Sequence, residues 1–93
     1  MNQQAHQEFQ KADALLNKAY KELLASDLSD EDKEELQAAQ RLWVQFRDAE
    51  AKFEANLDAR GGTAMPLVYE NRRQEITEAR TEDLKRIRKG SNE

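Results

Sequence analysis

Residues 36–50, LQAAQRLWVQFRDAE, decide the fold of this chain. Apolar side chains recur within and beyond this stretch at steps of three and four residues, which is the period of one face of an α-helix. We therefore predict a helix from about residue 30 to about residue 59, in which Glu50 is the one charged residue of the buried face. The predicted face consists of Leu36, Ala39, Trp43, Phe46, Glu50, Phe53 and Leu57.

A first helix is predicted upstream by the same spacing. Its apolar stripe consists of Ala5, Phe9, Ala12, Leu16, Ala19 and Leu23. The pattern stops at residues 26–30, where Ser29 is a suitable N-cap for the second helix. The acidic residues that follow fall in the first turns of that helix, where the macrodipole favours negative charge.

A third helix is predicted from about residue 64 to about residue 89. Gly61 suits the left-handed cap of the second helix, Thr63 suits the N-cap of the third, and Pro66 is tolerated in a first turn. The apolar stripe of this helix is thin. It consists of Val68 or Tyr69, then Ile76, Ala79, Leu84 and Ile87.

The fold class is therefore all-α. A chain of 93 residues with 38% hydrophobic and 37% charged residues forms one small domain with a solvated surface. We predict a three-helix bundle over residues 1–90, with the first two helices as an antiparallel hairpin, the third in their groove, and residues 91–93 as a fraying tail. Trp43 is predicted to be the most buried aromatic residue, since it lies midway along the longest stripe.

The net charge of −4 is unevenly distributed. Residues 1–60 carry eight Lys/Arg and thirteen Asp/Glu. This excess is typical of solvated helix faces, or of an acidic surface that attracts a cationic partner, and it argues against nucleic acid as a ligand. For the basic cluster at residues 85–89, a match to the C-terminus of a helix is favoured over an RNA or anionic-lipid patch.

No residue pattern predicts an enzyme, a cofactor or a metal site. His6 has no convergent partners in the sequence, and Gly61-Gly62-Thr63 is too short for a phosphate-binding loop. The acidic run at residues 30–35 lacks the alternation around glycine of a calcium loop. No segment predicts a membrane span or a signal peptide.

Charged residues near the predicted buried faces are the most informative for function. Arg47 and Arg80 need acidic partners if they are buried, and the expected bridges are Arg47 to an acid and Arg80 to Glu50 or Asp48. Such bridges either fix the helices or line a cleft for a ligand.

Five motifs, taken together, resemble a known family. They are MNQxA from Met1, DxLLNxxY from Asp13, LxxAQRxWxxFRDAE from Leu36, GGT from Gly61 and ITxxRxxxL from Ile76. Their order and spacing resemble the LprI-like lysozyme inhibitor N-terminal domain. The resemblance implies a small helical protein of the bacterial envelope, one branch of the family being linked to lysozyme inhibition. The motif residues it carries over are Asn17, Tyr20, Trp43, Arg47, Asp48, Gly61, Gly62, Thr77 and Arg80.

The absence of cysteine departs from this resemblance. Family members usually carry cysteines where this chain has Gln4 and Ala51, and another near residues 69–72. The departure fits a cytoplasmic paralogue, an envelope homologue that is stable without bridges, or an engineered variant. Resemblance predicts a periplasmic or secreted protein, whereas the missing cysteines leave the cytoplasm open.

Two functional hypotheses follow. The first is a non-enzymatic envelope domain that inhibits a cationic lysozyme by occluding its sugar-binding cleft, with Asp27, Asp30 and Glu31 as the partner-binding residues. The second is a structural or regulatory helical module that pairs with another protein's helix or with itself, and Leu67 and Val68 are then candidates for the covered apolar surface.

Overall fold

The computed structural model describes residues 3–91, which form three α-helices: α1 (Gln3–Leu24), α2 (Asp30–Ala59) and α3 (Met65–Ser91). The predicted all-α three-helix bundle is confirmed. The bounds predicted for α2 are those observed, and α3 extends two residues further than expected. Asn92 and Glu93 lie outside the described residues, so the fraying tail stays a prediction.

Helix α3 packs closely against both α1 and α2, whereas the backbones of α1 and α2 approach each other only weakly. Ion pairs define the directions: His6 pairs with Glu70 and Glu22 pairs with Arg88, so α1 and α3 run parallel. Helices α1 and α2, which were predicted to form a hairpin, are therefore joined mainly through α3, which lies against both of them. The bundle is long and flat, 47 × 21 × 16 Å, because three helices of this length lie side by side.

Two of the three helix caps predicted for the connecting segments are observed. The Ser29 hydroxyl caps α2 by accepting a hydrogen bond of 3.0 Å from the amide of Asp32. Gly61 adopts a positive φ of 75° just after α2, as the left-handed cap requires. Helix α3 begins at Met65, so Ala64 occupies the position before it and Thr63 is not its cap residue.

The apolar core lies toward the end of the bundle where α1 turns into α2. Leu16, Ala19 and Leu23 of α1 meet Leu84 of α3 there. The stripe predicted for α1 is confirmed, since all six of its residues are buried. Partly buried side chains surround this core, namely Tyr20, Leu28, Leu36, Trp43 and Ile87.

The buried face of α2 is not the predicted one. Phe46 and Phe53 are more than half exposed, and the buried positions step by helical spacing along a different face: Gln40, Arg47, Ala51 and Ala55. Two faces of α2 share the helical period, and the small side chains of Ala51 and Ala55 let α3 approach closely. On α3, Ala79 is exposed, while Thr77 and Thr81 are buried in its place.

None of the helices within residues 3–91 has the length and apolar character needed to cross a bilayer.

Candidate functional site

A cluster of aromatic and charged side chains joins all three helices at the end where α1 and α3 begin. Phe9 of α1 is 5% exposed and is the most buried aromatic residue, contrary to the expectation for Trp43. The Arg47 guanidinium of α2 lies 4.9 Å from the centre of the Phe9 ring, and that of Arg73 of α3 lies 3.8 Å from it. Both distances allow cation–π attraction, so one ring holds cations from two helices. We call Phe9, Arg47, Asp48, Glu70 and Arg73 the arginine–phenylalanine cluster.

Carboxylates neutralise both guanidinium groups of the cluster. Asp48 accepts hydrogen bonds from Nε of Arg47 at 2.9 Å and from Nε of Arg73 at 3.1 Å. Arg47 also donates to Asp13 at 3.3 Å, and Arg73 donates to Glu70 at 2.8 Å. The predicted bridge from Arg47 to an acid is confirmed. A buried charge is tolerated only when it is paired in this way.

Further contacts extend the cluster at its edges. The rings of Trp43 and Tyr69 lie 5.2 Å from Arg47 and 4.9 Å from Arg73, respectively. The imidazole of His6, which is half-exposed, forms a hydrogen bond with the buried carboxylate of Glu70. Each helix thus contributes both an aromatic ring and a charged group. The contacts among them fix the positions of the three helices relative to one another.

Glu50 lies outside the cluster and belongs to a separate group with Glu54 and Arg72. The hydrogen bond to Glu54 raises the pKa of Glu50. The Arg72 guanidinium donates to Glu54 at 2.7 Å and lowers the pKa of Glu54. When two carboxyl groups share one cation and one hydrogen bond, their pKa values move apart, because the proton stays on the group farther from the cation.

These opposite shifts predict the order in which the two carboxyl groups titrate. In an NMR titration, we expect Glu54 to lose its proton at lower pH than Glu50. The Arg72→Gln variant should raise the pKa of Glu54, since it removes the cation that favours the ionised form. Arg41→Gln, an exposed change nearer the start of α2, is the matched control and should leave the order unchanged. A Glu54 that titrates after Glu50 in the unmodified protein would contradict the assignment.

The partner expected for Arg80 is wrong. Arg80 is partly buried, and its Nε donates to the amide oxygen of Gln40 at 3.0 Å instead of to Glu50 or Asp48. Gln40 lies on the side of α2 that faces α3, whereas Asp48 is engaged by Arg47 and Arg73. A neutral amide can accept this hydrogen bond without the desolvation cost of a second buried charge.

The structure brings together only some of the residues carried over from the resemblance. Trp43, Arg47 and Asp48 meet at the arginine–phenylalanine cluster, whereas Asn17 is exposed on α1 and Tyr20 packs beside the apolar core. Thr77 is fully buried between the helices. Within residues 3–91, its Oγ1 is a buried side-chain atom that has no hydrogen-bond partner.

The predicted partner-binding residues lie far from the cluster. Asp27, Asp30 and Glu31 are exposed at the turn from α1 into α2. None of the three forms a salt bridge within the described part of the chain. Their carboxylates are therefore available to a partner.

Sequence reasoning did not assign His6, Asp13, Glu70 or Arg73 to a site, and it placed Phe9 and Tyr69 only on apolar stripes. Arg73 shares a helical face with Tyr69 and Ile76, which indicates an inward cation on α3. Nothing in the spacing pairs it with Phe9, because that contact joins residues far apart along the chain.

Residues 3–91 contain no group of three or more His, Asp or Glu side chains placed to hold a metal ion. The surface of the described residues has several open depressions. One of about 320 Å³ lies between α1 and α3 and is lined by Ala19, Glu22, Lys85, Arg88 and Lys89.

Comparison with known proteins identifies the fold family. A family model described as Lysozyme inhibitor LprI matches residues 1–84, which include α1, α2 and most of α3. The chain belongs to the LprI family. The resemblance drawn from the motifs is thus confirmed.

The chain is also similar to a bacterial protein. The chain is 35% identical over 95 residues to Uncharacterized protein R02472 of Rhizobium meliloti (strain 1021), and the match covers 89% of this chain and 68% of that protein. No solved structure matches the chain significantly.

Two positions at which the resemblance predicts cysteine have different surroundings in this chain. Ala51 is fully buried on the side of α2 that faces α3, and Gln4 is exposed near the start of α1. The arginine–phenylalanine cluster occupies this part of the bundle, so ion pairs and contacts between guanidinium groups and rings join the three helices where no disulfide can form.

Proposed function

We propose that this LprI-family chain is a non-enzymatic binding domain of the bacterial envelope that inhibits a lysozyme. The observation that carries the proposal is the match to the family described as Lysozyme inhibitor LprI over residues 1–84. The match spans the elements that form the core and the cluster. The inhibitory surface is therefore expected on the rigid bundle itself.

The turn between α1 and α2 is the proposed contact surface. Asp27, Asp30 and Glu31 project from it, and the Ser29 cap orders the backbone that carries them. An acidic surface without internal partners suits a cationic enzyme, because opposite potentials accelerate encounter. In this proposal the end of the bundle covers the sugar-binding cleft of the lysozyme and blocks access of the polysaccharide.

Inhibition should depend on salt and on these three carboxylates. We expect the variant Asp27→Lys, Asp30→Lys, Glu31→Lys to associate with lysozyme about tenfold more slowly at low salt, because it replaces attraction by repulsion. The difference in association rate between the unmodified protein and the variant should be smaller at physiological ionic strength, where the screening length is about 8 Å. Stopped-flow association and a cell-wall lysis assay across salt concentrations measure both effects.

A matched control reverses three exposed acids elsewhere, on α3: Glu75→Lys, Glu78→Lys and Glu82→Lys. This control changes the net charge equally but leaves the proposed surface intact, so it should retain most of the association rate. Equal slowing by both variants would assign the effect to total charge and reject the turn as the contact surface. Unchanged lysozyme activity at low salt in the presence of the unmodified protein would reject the inhibitor proposal.

The same proposal places the protein in the periplasm or outside the cell. Fractionation of cells that express the full gene tests the location, and a protein found only in the cytoplasm would reject it.

A further inference from the structure

Helix α2 carries a second apolar face, directed away from the other two helices. Leu42 is 67% exposed, Phe46 56%, Phe53 57% and Leu57 66%, and the exposed Ala49 lies between the two phenylalanines. We call these five residues the outer stripe. The side of α2 that packs on α3 carries Arg47, Ala51 and Ala55 instead. Large apolar side chains therefore face solvent while small ones face the core.

The outer stripe has the geometry of a seam between helices. Its members follow one another at steps of four, three, four and four residues, close to the period of residues that face a partner helix in a coiled coil. The stripe is about 22 Å long at 1.5 Å per residue. A continuous apolar surface of this extent marks an interaction site in a chain that is otherwise highly charged.

The order of side chains along the outer stripe is the same in both directions: Leu, Phe, Ala, Phe, Leu. We propose that two copies of the chain pair through antiparallel α2 helices related by a two-fold axis that crosses α2 between Ala49 and Glu50. This axis places Leu42 against Leu57 of the second copy and Phe46 against Phe53 of the second copy. Such a symmetric interface uses the same patch on both subunits, and this patch is complementary to itself under that rotation. The small Ala49 beside the axis lets the two helices approach.

Charges beside the outer stripe are compatible with this pairing. On one flank the two-fold axis brings Lys52 near Gln45 of the second copy and Arg41 near Asn56 of the second copy. Each cation then faces a neutral amide, so this flank contains no like-charge pair.

The other flank carries Glu50, whose carboxyl hydrogen-bonds with Glu54 on the side of Arg72. The two-fold axis brings this carboxyl near that of Glu50 in the second copy, and the attraction of Arg72 within each chain opposes the repulsion between the two.

The expected interface is small. Each of the four large side chains offers roughly 100 Å² of exposed surface, so pairing buries roughly 800 Å² over both copies before flanking residues are counted. Stable complexes bury about 1,200 Å² or more in total. With the flanking residues included, the interface lies near that lower bound, and we expect a reversible dimer that forms with rising concentration.

Single cysteines test the geometry, because the chain contains none of its own. Under mild oxidation we expect Ala49→Cys to form a disulfide-linked dimer, since the two-fold axis brings both copies of residue 49 within the reach of a disulfide. Gln45→Cys should not, because its equivalent in the second copy lies about 13 Å away along the helix. Leu15→Cys, at an exposed leucine of α1 outside the outer stripe, controls for random collisions.

Each pattern of cross-linking has a definite meaning. Preferential cross-linking of Ala49→Cys supports the antiparallel dimer. Equal cross-linking of Ala49→Cys and Gln45→Cys indicates a parallel pair and overturns the proposal. Cross-linking of Ala49→Cys no greater than that of Leu15→Cys overturns it as well.

Analytical ultracentrifugation of the cysteine-free chain provides an independent test. We expect Phe46→Ser to weaken dimerisation by at least roughly a hundredfold, because the substitution removes that side chain from both copies in the interface. Leu15→Ser should leave dimerisation unchanged. A chain that stays monomeric up to millimolar concentration would overturn the proposal, and it would do so without bearing on lysozyme inhibition, which is measured separately.

Discussion

Replacing Phe9 with alanine should lower the free energy of unfolding by about 3–5 kcal/mol. Phe9 is 5% exposed, and both Arg47 and Arg73 lie over its ring. The substitution leaves a cavity among three helices and removes two cation–π contacts, each of which contributes roughly 0.5–2 kcal/mol. Urea unfolding followed by circular dichroism measures the loss.

Phe46→Ala is the matched control for Phe9→Ala. It removes the same side chain from a site that is 56% exposed, and it should change stability by less than about 1 kcal/mol when measured at low protein concentration. A loss for Phe46→Ala as large as that for Phe9→Ala would reverse our assignment of the two faces of the bundle.

Replacing Arg47 with alanine should cost about 2–3 kcal/mol, mainly through lost contacts with the rings of Phe9 and Trp43. Its side chain is 7% exposed and bridges Asp13 of α1 to Asp48 of its own helix. Truncation removes the packing of the arginine against Phe9 and leaves Arg73 as the only cation on Asp48. Thermal and urea unfolding measure the effect.

Two variants separate the charge of Arg47 from its packing. Arg47→Met keeps most of the volume and removes the charge, so it should be less destabilising than Arg47→Ala, as for other buried ion pairs replaced by apolar residues. Arg41→Ala, at an exposed arginine on the same helix, should stay within about 0.5 kcal/mol of the unmodified protein. If Arg47→Ala resembles Arg41→Ala, the cluster contributes nothing to stability.

Ion pairs hold the end of the bundle where α1 and α3 begin, in a chain that contains no cysteine. Asp48 accepts from two arginines that belong to different helices, and Glu70 accepts from Arg73 and His6. Each of these groups is paired, which offsets the cost of taking it out of water. The cluster can therefore fix the spacing of α1, α2 and α3 by itself.

The sequence was sufficient to predict the helices. The stripe of α1, the bounds of α2, the Ser29 cap and the positive φ of Gly61 all follow from local rules of spacing and backbone geometry. These rules depend on residues within a few positions of one another. The motif order was also sufficient to indicate the LprI family, which the family model confirmed.

Only the tertiary structure decided which face of α2 is buried and which residues meet across helices. The two faces of α2 have the same period, so spacing alone favoured the one with more large apolar residues. Close packing against α3 selected the face with Ala51 and Ala55, because small side chains let two helices approach. Contacts such as Phe9 with Arg73, or Arg80 with Gln40, join residues distant in sequence. They depend on how three helices are placed in space, which no local pattern specifies.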